Sequence, residues 1–413
     1  MLSEKIDVLI NTAKILYKKS RFSSCVDVCN IFIEEGNSSY YIYELLGECY
    51  YRLNMLDLSL NSFKKALELN NKLVSAKFKS IVLKHRLHRN LTIKEITEIE
   101  SVAVKRNNMN WLRSVSYIQY SYGMYDECFK NLKRLEESDS IIYSLDYMTM
   151  AECCKRDNEY EKYNLKELDN TFYYKYENNK SSTLLVTLSA ANNFALQKYE
   201  YSSDKLFLTD NSHSYYMLSY NKIGKLIEKL CNDNNYRKIC IVGLSKGGTG
   251  ALYLFDYIQN HIPSVEIRCI AFSPQVNIYP FNRNLNIPSY RKLQEYIDCN
   301  TLIEHKVQNV KPIKNIILNS SQNKVFVFYG RNFTMDLIEA RELKHFELVE
   351  LPYSGHATVI PLTVPEGKTK EWLSNLTVDP DLAALGGITD LLIDEIWEIY
   401  QNSNMRLYKF LDS

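Results

Sequence analysis

Residues 240–251 read CIVGLSKGGTGA, and the reading of this stretch decides what the second half of the chain builds. Only 13 glycines occur in the 413 residues, yet Gly243, Gly247, Gly248 and Gly250 crowd around Ser245. The apolar run before the serine reads as a buried strand, and the segment GGTGALYLFDYIQNH after it has helical period. A strand, then Gly-x-Ser-x-Gly, then a helix is the setting of a nucleophile elbow. Gly243 and Gly247 suit that turn because the chain reverses so tightly at Ser245 that side chains two positions away would collide. A glycine-rich turn between strand and helix also serves to cradle phosphate, but neither G-x-x-x-x-G-K-[ST] nor G-x-G-x-x-G is present.

Short β-rich runs flank the elbow on both sides: TLLVTLSA (183–190), KLFLTD (205–210), EIRCIAFSP (266–274), KVFVFYG (324–330) and HFELVELP (345–352). Segments of helical period such as YNKIGKLIEKLCNDN separate most of them. Strand alternating with helix predicts a mostly parallel sheet covered on both faces, over residues 169–413. Upstream the texture differs. Residues 1–168 hold no proline, all nine lying from Pro263 onward, and their apolar spacing is helical throughout. Tyr43, Leu46, Gly47, Tyr50, Ser59, Phe63 and Ala66 match the positions a tetratricopeptide repeat fills with aromatic, Leu, Gly, Tyr, small, Phe and Ala. Three or four such hairpins stacked as a short solenoid are predicted for 1–168, a plain helical bundle being the alternative.

An elbow serine needs a base to take its proton. Seven histidines are available, and in the order Ser, acid, His along the chain only His356 fits, in the loop that Pro352 and Gly355 open after the last strand. His345 stands at that strand's beginning. The acid falls on Asp336, the first carboxylate after KVFVFYG, with Glu339 next on the helix; either also reads as a solvated helix charge. The oxyanion hole is expected from the backbone N–H of Lys246 and from Ala190 or Ala191 after TLLVTLSA.

Lys plus Arg number 50 against 49 Asp plus Glu, so no field favours nucleic acid. The first twenty residues carry acids and lysines where a signal peptide needs an apolar run, and no window approaches the roughly 18 apolar residues of a membrane span. A soluble cytoplasmic protein is expected. The ten cysteines show no zinc spacing, which predicts reduced, mostly buried thiols and no metal.

The motifs GLSKGGTGALYL, TLSAANNF, LFLTDNSHSYYM, AFSPQ, FVFYG and YSGHA together resemble the bacterial capsular polysaccharide O-acetyltransferases of the meningococcal serogroup A type, over roughly residues 172–360. The resemblance implies an α/β-hydrolase fold used for acetyl transfer from acetyl-CoA to a sugar hydroxyl, with Ser245 as nucleophile and His356 as base. It departs at one place. That family tends to carry a carboxylate within two or three positions of the strand-end glycine, whereas Gly330 is followed by Arg331, Asn332 and Phe333, so either the acid is displaced to Asp336 or a Ser/His dyad operates.

Three functions follow as expectations. The first is an O-acetyltransferase with a polysaccharide acceptor, docked through its repeats to a protein partner such as a capsule synthesis complex at the inner face of the membrane. The second is a serine esterase, since the same residues hydrolyse when water reaches the acyl-enzyme. The third is a non-catalytic interaction protein whose hydrolase domain has lost its acid. The acceptor glycan, the acyl group and the role of the segment after Pro361 are not legible in the sequence.

Overall fold

The computed structural model describes residues 2–138, 140–155, 159–191, 193–285, 287–374, 390–403 and 405–412. Within them the chain divides into two compact units. One comprises Met1–Ile142, Met148–Tyr163 and Gln294–Glu304; the other comprises Tyr143–Tyr147, Asn164–Leu293 and His305–Ser413.

Ten helices precede the first strand among the described residues: α1 (Leu2–Lys18), α2 (Phe22–Glu34), α3 (Tyr40–Arg52), α4 (Leu56–Leu69), α5 (Val74–His88), α6 (Ile93–Lys105), α7 (Met109–Ser121), α8 (Tyr125–Glu137), α9 (Ser144–Cys153) and α10 (Tyr160–Asn170). The α3–α4 hairpin shows why the repeat pattern is chosen. A Cβ on Gly47 would lie 2.7 Å from the Phe63 ring, so glycine is what lets the helices close. Ser59 Oγ then donates to Gly47 O at 2.7 Å across the same seam. Thr92 and Glu95 form a reciprocal capping box that starts α6, and Asn108 Oδ1 accepts from Trp111 N to start α7.

The second unit is built on a seven-stranded sheet: β1 (Phe172–Glu177), β2 (Thr183–Leu188), β3 (Asp204–Asp210), β4 (Lys238–Leu244), β5 (Glu266–Phe272), β6 (Lys324–Gly330) and β7 (Glu347–Leu351). Its order is β1-β3-β2-β4-β5-β6-β7. Only β1 runs antiparallel, pairing Phe172 with Asp210 and Glu177 with Lys205. β4 is central and buried from Ile239 to Gly243, as the unbroken apolar run requires of a parallel strand covered on both faces. Helices α11 (Tyr220–Asn234), α12 (Lys246–His261) and α15 (Thr334–Arg341) follow β3, β4 and β6, while α13 (Pro288–Cys299) and α14 (Thr301–Gln308) lie between β5 and β6 in sequence. The segment after Pro361 closes one face of the sheet. Leu362, Val364 and Leu373, with Ile396 and Ile399 of the helix Asp390–Asn402, join Phe326, Phe328 and Leu351 in one core. Residues 375–389 of that segment lie outside the described residues.

β1 is the strand that sequence reading omits. Its Tyr173, Tyr174 and Lys175 are exposed, so the apolar signal that marks the other strands is missing.

Candidate active site

β4 delivers Ser245 to the head of α12 with φ 53° and ψ −119°, a left-handed conformation that a non-glycine residue holds only when its surroundings enforce it. The neighbouring glycines provide that room. A Cβ on Gly243 would stand 2.0 Å from Gly247 O, and one on Gly247 would stand 2.2 Å from Leu188 O. Ser245 N donates to Phe272 O at 2.8 Å and its own carbonyl accepts from Gly248 N at 2.7 Å. The serine is thereby fixed from both the strand and the helix side.

The loop after β7 brings His356 to it, and both links of the expected chain are present. His356 Nε2 lies 2.7 Å from Ser245 Oγ, and His356 Nδ1 lies 2.7 Å from Asp336 Oδ1. The imidazole and the carboxylate are each 2% exposed, so this ion-pairing geometry is shielded from water. Asp336 stands in the first turn of α15 because the chain after β6 is first tied to the exit of β7: Arg331 N donates to Leu351 O at 2.8 Å and Asn332 N to Tyr353 O at 3.2 Å. Arg331, Asn332 and Phe333 thus occupy the positions where an earlier carboxylate would stand.

Glu339 is not a solvated helix charge. It is 1% exposed, and its two oxygens accept from Val276 N (2.8 Å), Asn277 N (3.0 Å), Asn282 Nδ2 (2.7 Å) and Asn284 Nδ2 (3.2 Å). One helix thus supplies the partner of His356 and the anchor of the loop after β5. Gln275, at the start of that loop, is a site residue that motif reading did not assign. Its amide donates to Ser273 O at 2.8 Å and reaches to 3.4 Å from Ser245 Oγ and 3.5 Å from His356 Nε2. Thr249 of α12 holds the Gln275 backbone from both its N–H (3.0 Å) and its carbonyl (2.7 Å).

The expected oxyanion donors lie where β2 meets α12, because Gly247 abuts Leu188 O and the Ser189 carbonyl carbon. Lys246 is the first residue of α12, and Ala190 and Ala191 follow Ser189. The N–H of Ala191 is engaged locally, donating to Ser189 Oγ at 3.2 Å. Behind this edge a second buried carboxylate shapes the chain. Asp210, at the end of β3, accepts from the backbone N–H groups of Ser212, Ser214 and Tyr216 at 3.0 Å each. Burial pushes its carboxyl above the usual range, opposed by those bonds and by the Lys246 ammonium. Tyr216, held by that wrap, donates its hydroxyl to Ser189 O at 2.9 Å. No single motif position points to this support; its sequence trace is the DNSHSYYM run, whose His213, Tyr215 and Tyr216 all take positive φ.

All ten cysteines are free and nine are buried, and among the described residues no group of His, Cys, Asp and Glu side chains is arranged to hold a metal ion. No helix among them is long and apolar enough to cross a membrane.

The second unit has the α/β-hydrolase fold, with a serine, a histidine and a carboxylate in hydrogen-bonded line at the ends of its strands, and the first is a tetratricopeptide-like helical array. No protein-family model matches the chain, and no curated protein matches it. Among solved structures, YrrB, a TPR protein with an unusual peptide-binding site, is similar at 16% identity over 39% of this chain and 82% of its own, with a TM-score of 0.34. The capsule O-acetyltransferase of Neisseria meningitidis serogroup A is similar at 15% identity over 44% of this chain and 83% of its own, with a TM-score of 0.28. A lipase-esterase related protein from Clostridium acetobutylicum is similar at 15% identity over 47% and 94%, with a TM-score of 0.30.

Proposed function

We propose that the protein is an O-acetyltransferase that carries an acetyl group from acetyl-CoA to a hydroxyl of a polysaccharide through an acyl-Ser245 intermediate. The observation that carries this reading is the unbroken line from Asp336 through His356 to Ser245, with 2.7 Å at each link. Ser245 Oγ attacks the thioester carbonyl while His356 Nε2 accepts its proton. Collapse of the tetrahedral intermediate breaks the carbon–sulfur bond, and the departing thiolate takes that proton. A glycan hydroxyl then attacks the new ester, giving its proton to Nε2, and the proton returns to Ser245 Oγ as the acetylated glycan leaves. Asp336 keeps Nδ1 in its donor tautomer and stabilises the imidazolium formed in each half. The Lys246 N–H, at the head of α12, and the N–H of Ala190 are the proposed donors to the oxyanion. Ala191 is a weaker candidate, because its N–H is already directed at Ser189 Oγ.

A cavity of about 600 Å³ is lined by Val276, Tyr279, Phe281, Arg283, Gln308 and Lys314 among others, and neither Ser245 nor His356 is part of its lining. Aromatic faces with amides and cations suit a sugar chain or the phosphates of the donor. The protein would act in the cytoplasm, beside the machinery that makes the polymer. Esterase action is the second reading, favoured by the same three residues when water takes the place of the sugar. The 2.7 Å contact of Asp336 speaks against the third, a protein that has lost its acid.

The test is incubation with acetyl-labelled CoA and candidate capsule polymers. Label on the glycan is the expected result; labelled acetate alone, with every polymer tried, moves the reading to an esterase. Ser245→Ala is expected to lower the rate by about three orders of magnitude or more. A parent protein that a fluorophosphonate probe fails to label would sink both enzymatic readings.

A further inference from the structure

The helical unit is not made of consecutive sequence, because Gln294–Glu304, from the stretch between β5 and β6, belongs to it. These residues form the end of α13 and the beginning of α14, and the bonds that hold them come from α3, α5, α7 and α9. Glu295 accepts from Tyr51 Oη of α3 and from Ser114 Oγ of α7, both at 3.0 Å. Asp298 Oδ2 accepts from Arg86 of α5 through Nε at 2.9 Å and Nη2 at 2.8 Å, and the Arg86 side chain is only 3% exposed. Arg89, directly after α5, pairs with Glu304 at 2.9 Å.

The backbone is read as well as the charge. At the break between α13 and α14, Ser121 Oγ of α7 donates to Cys299 O at 2.8 Å and accepts from Thr301 N at 3.1 Å. One hydroxyl thus satisfies a helix-end carbonyl and a helix-start N–H, both of which lack partners within their own helices. Asn300 Nδ2 donates to Thr149 Oγ1 of α9 at 3.0 Å. Tyr296 meets Tyr117 of α7 edge-on, with centroids 5.3 Å apart, and Tyr296, Ile297 and Ile303 are buried.

Arginines set against carboxylates, one of them at two N–H groups, are a means of recognising an acidic peptide. We propose that the array is a receptor for its own chain: the face built by α3, α5, α7 and α9 takes residues 294–304 as its ligand in cis. Tethering holds such a ligand at an effective concentration in the millimolar range. A separate protein reaches this face only by displacing it, and must bring the same chemistry: a short helix with carboxylates one turn apart, an aromatic between them, and a polar break. The proposal does not depend on the chemistry at Ser245.

Hydrogen exchange of the full chain, resolved by mass spectrometry, tests it. Asp298→Asn and Arg86→Gln are each expected to speed exchange of the 297–303 amides by about tenfold or more. The double variant should be no faster than the quicker single, since both delete one pair. Unchanged protection, or two effects that simply multiply, overturns the proposal. If Arg86→Gln does not fold, Tyr51→Phe with Glu295→Gln reads the same coupling through the loss of one hydroxyl. A second arm uses the full chain carrying Glu295→Ala, Asp298→Ala and Glu304→Ala with a fluorescent peptide of residues 288–306. This chain should take up the peptide at millimolar concentration while the parent does not. Absence of uptake by the substituted chain overturns the receptor reading.

Discussion

Asp336 and Glu339 are both buried carboxylates on α15, three residues apart, and their surroundings give them different work. Asp336 touches His356, and its Oδ2 has no hydrogen-bond partner among the described residues. Asp336→Asn keeps the shape but offers His356 Nδ1 an amide, so turnover should fall by about 10²–10⁴ while the melting temperature barely moves. Glu339 instead satisfies two backbone and two side-chain donors. Glu339→Gln sets an amide N–H against one pair of donors, and should lower stability by about 1–3 kcal/mol. Steady-state rates and thermal melting of the two variants give opposite patterns; a rate loss confined to Glu339→Gln would transfer the acid to that residue. A different kind of buried group appears at His85 of α5, which is 1% exposed. Burial pushes its pKa down to about 4, with Arg89 and Arg86 adding and the backbones of Asp298 and Cys299 opposing; the Tyr122 ring packs 5.5 Å away. Above about pH 6.5 the imidazole is neutral folded and unfolded alike, so stability is complete. As the pH falls from about 6.5 toward 4 the unfolded chain binds a proton that the native one refuses, and on the order of 3 kcal/mol is lost. Melting between pH 7 and 4.5 should show the decline, and His85→Phe should flatten it; equal slopes would place the acid sensitivity elsewhere.

At the scale of elements, the strand-turn-helix around Ser245 carries its own requirement in its glycines. Gly247→Ala drives a methyl group to 2.2 Å from the Leu188 carbonyl, a backbone atom held in the β2–β4 ladder that cannot swing aside as a side chain would. The expected cost is about 3 kcal/mol or more, above the usual range for overpacking, read as a fall in melting temperature with probe labelling lost in step. A variant that melts like the parent would mean the elbow is looser than its geometry. This compactness is also why the elbow was legible: tight backbone contacts restrict residue type at fixed spacing, and a buried parallel strand writes an unbroken apolar run. The same logic made Gly47 and Phe63 readable, because each fills the space the other leaves. β1 was not legible because an exposed edge strand needs no apolar pattern. Gln275 and Asp210 escaped, and Glu339 was read only as an alternative acid or a surface charge, for a related reason. Polar side chains that act by bracing backbone can stand at many sequence positions, and only the folded chain shows which N–H groups they serve.

For the whole molecule, the consequence of a discontinuous unit is that the two units cannot be separated by a cut at one linker. A chain beginning at Asp169 retains Tyr296, Ile297 and Ile303, all buried in the full protein, but lacks the helices of the unit they belong to. It is expected to bind a hydrophobic dye strongly and to associate as it unfolds, whereas the full chain should do neither. A truncated protein that stays monomeric, melts cooperatively and leaves the dye dark would show that residues 294–304 find cover without the repeats.

The same discontinuity bears on how the chain is made. Helical hairpins are local structures that form as soon as their residues leave the ribosome. Here, however, the first 163 residues emerge without the last piece of their own unit, which arrives only with residue 304. At about 5–20 residues per second that is a wait of roughly 7–28 s, during which Asp298 and Glu304, the partners of Arg86 and Arg89, have not yet been made. Whatever acidic helix is near the ribosome in that interval meets the array before its own segment does, so the order of synthesis itself opens a brief period in which the repeats are free to greet another protein.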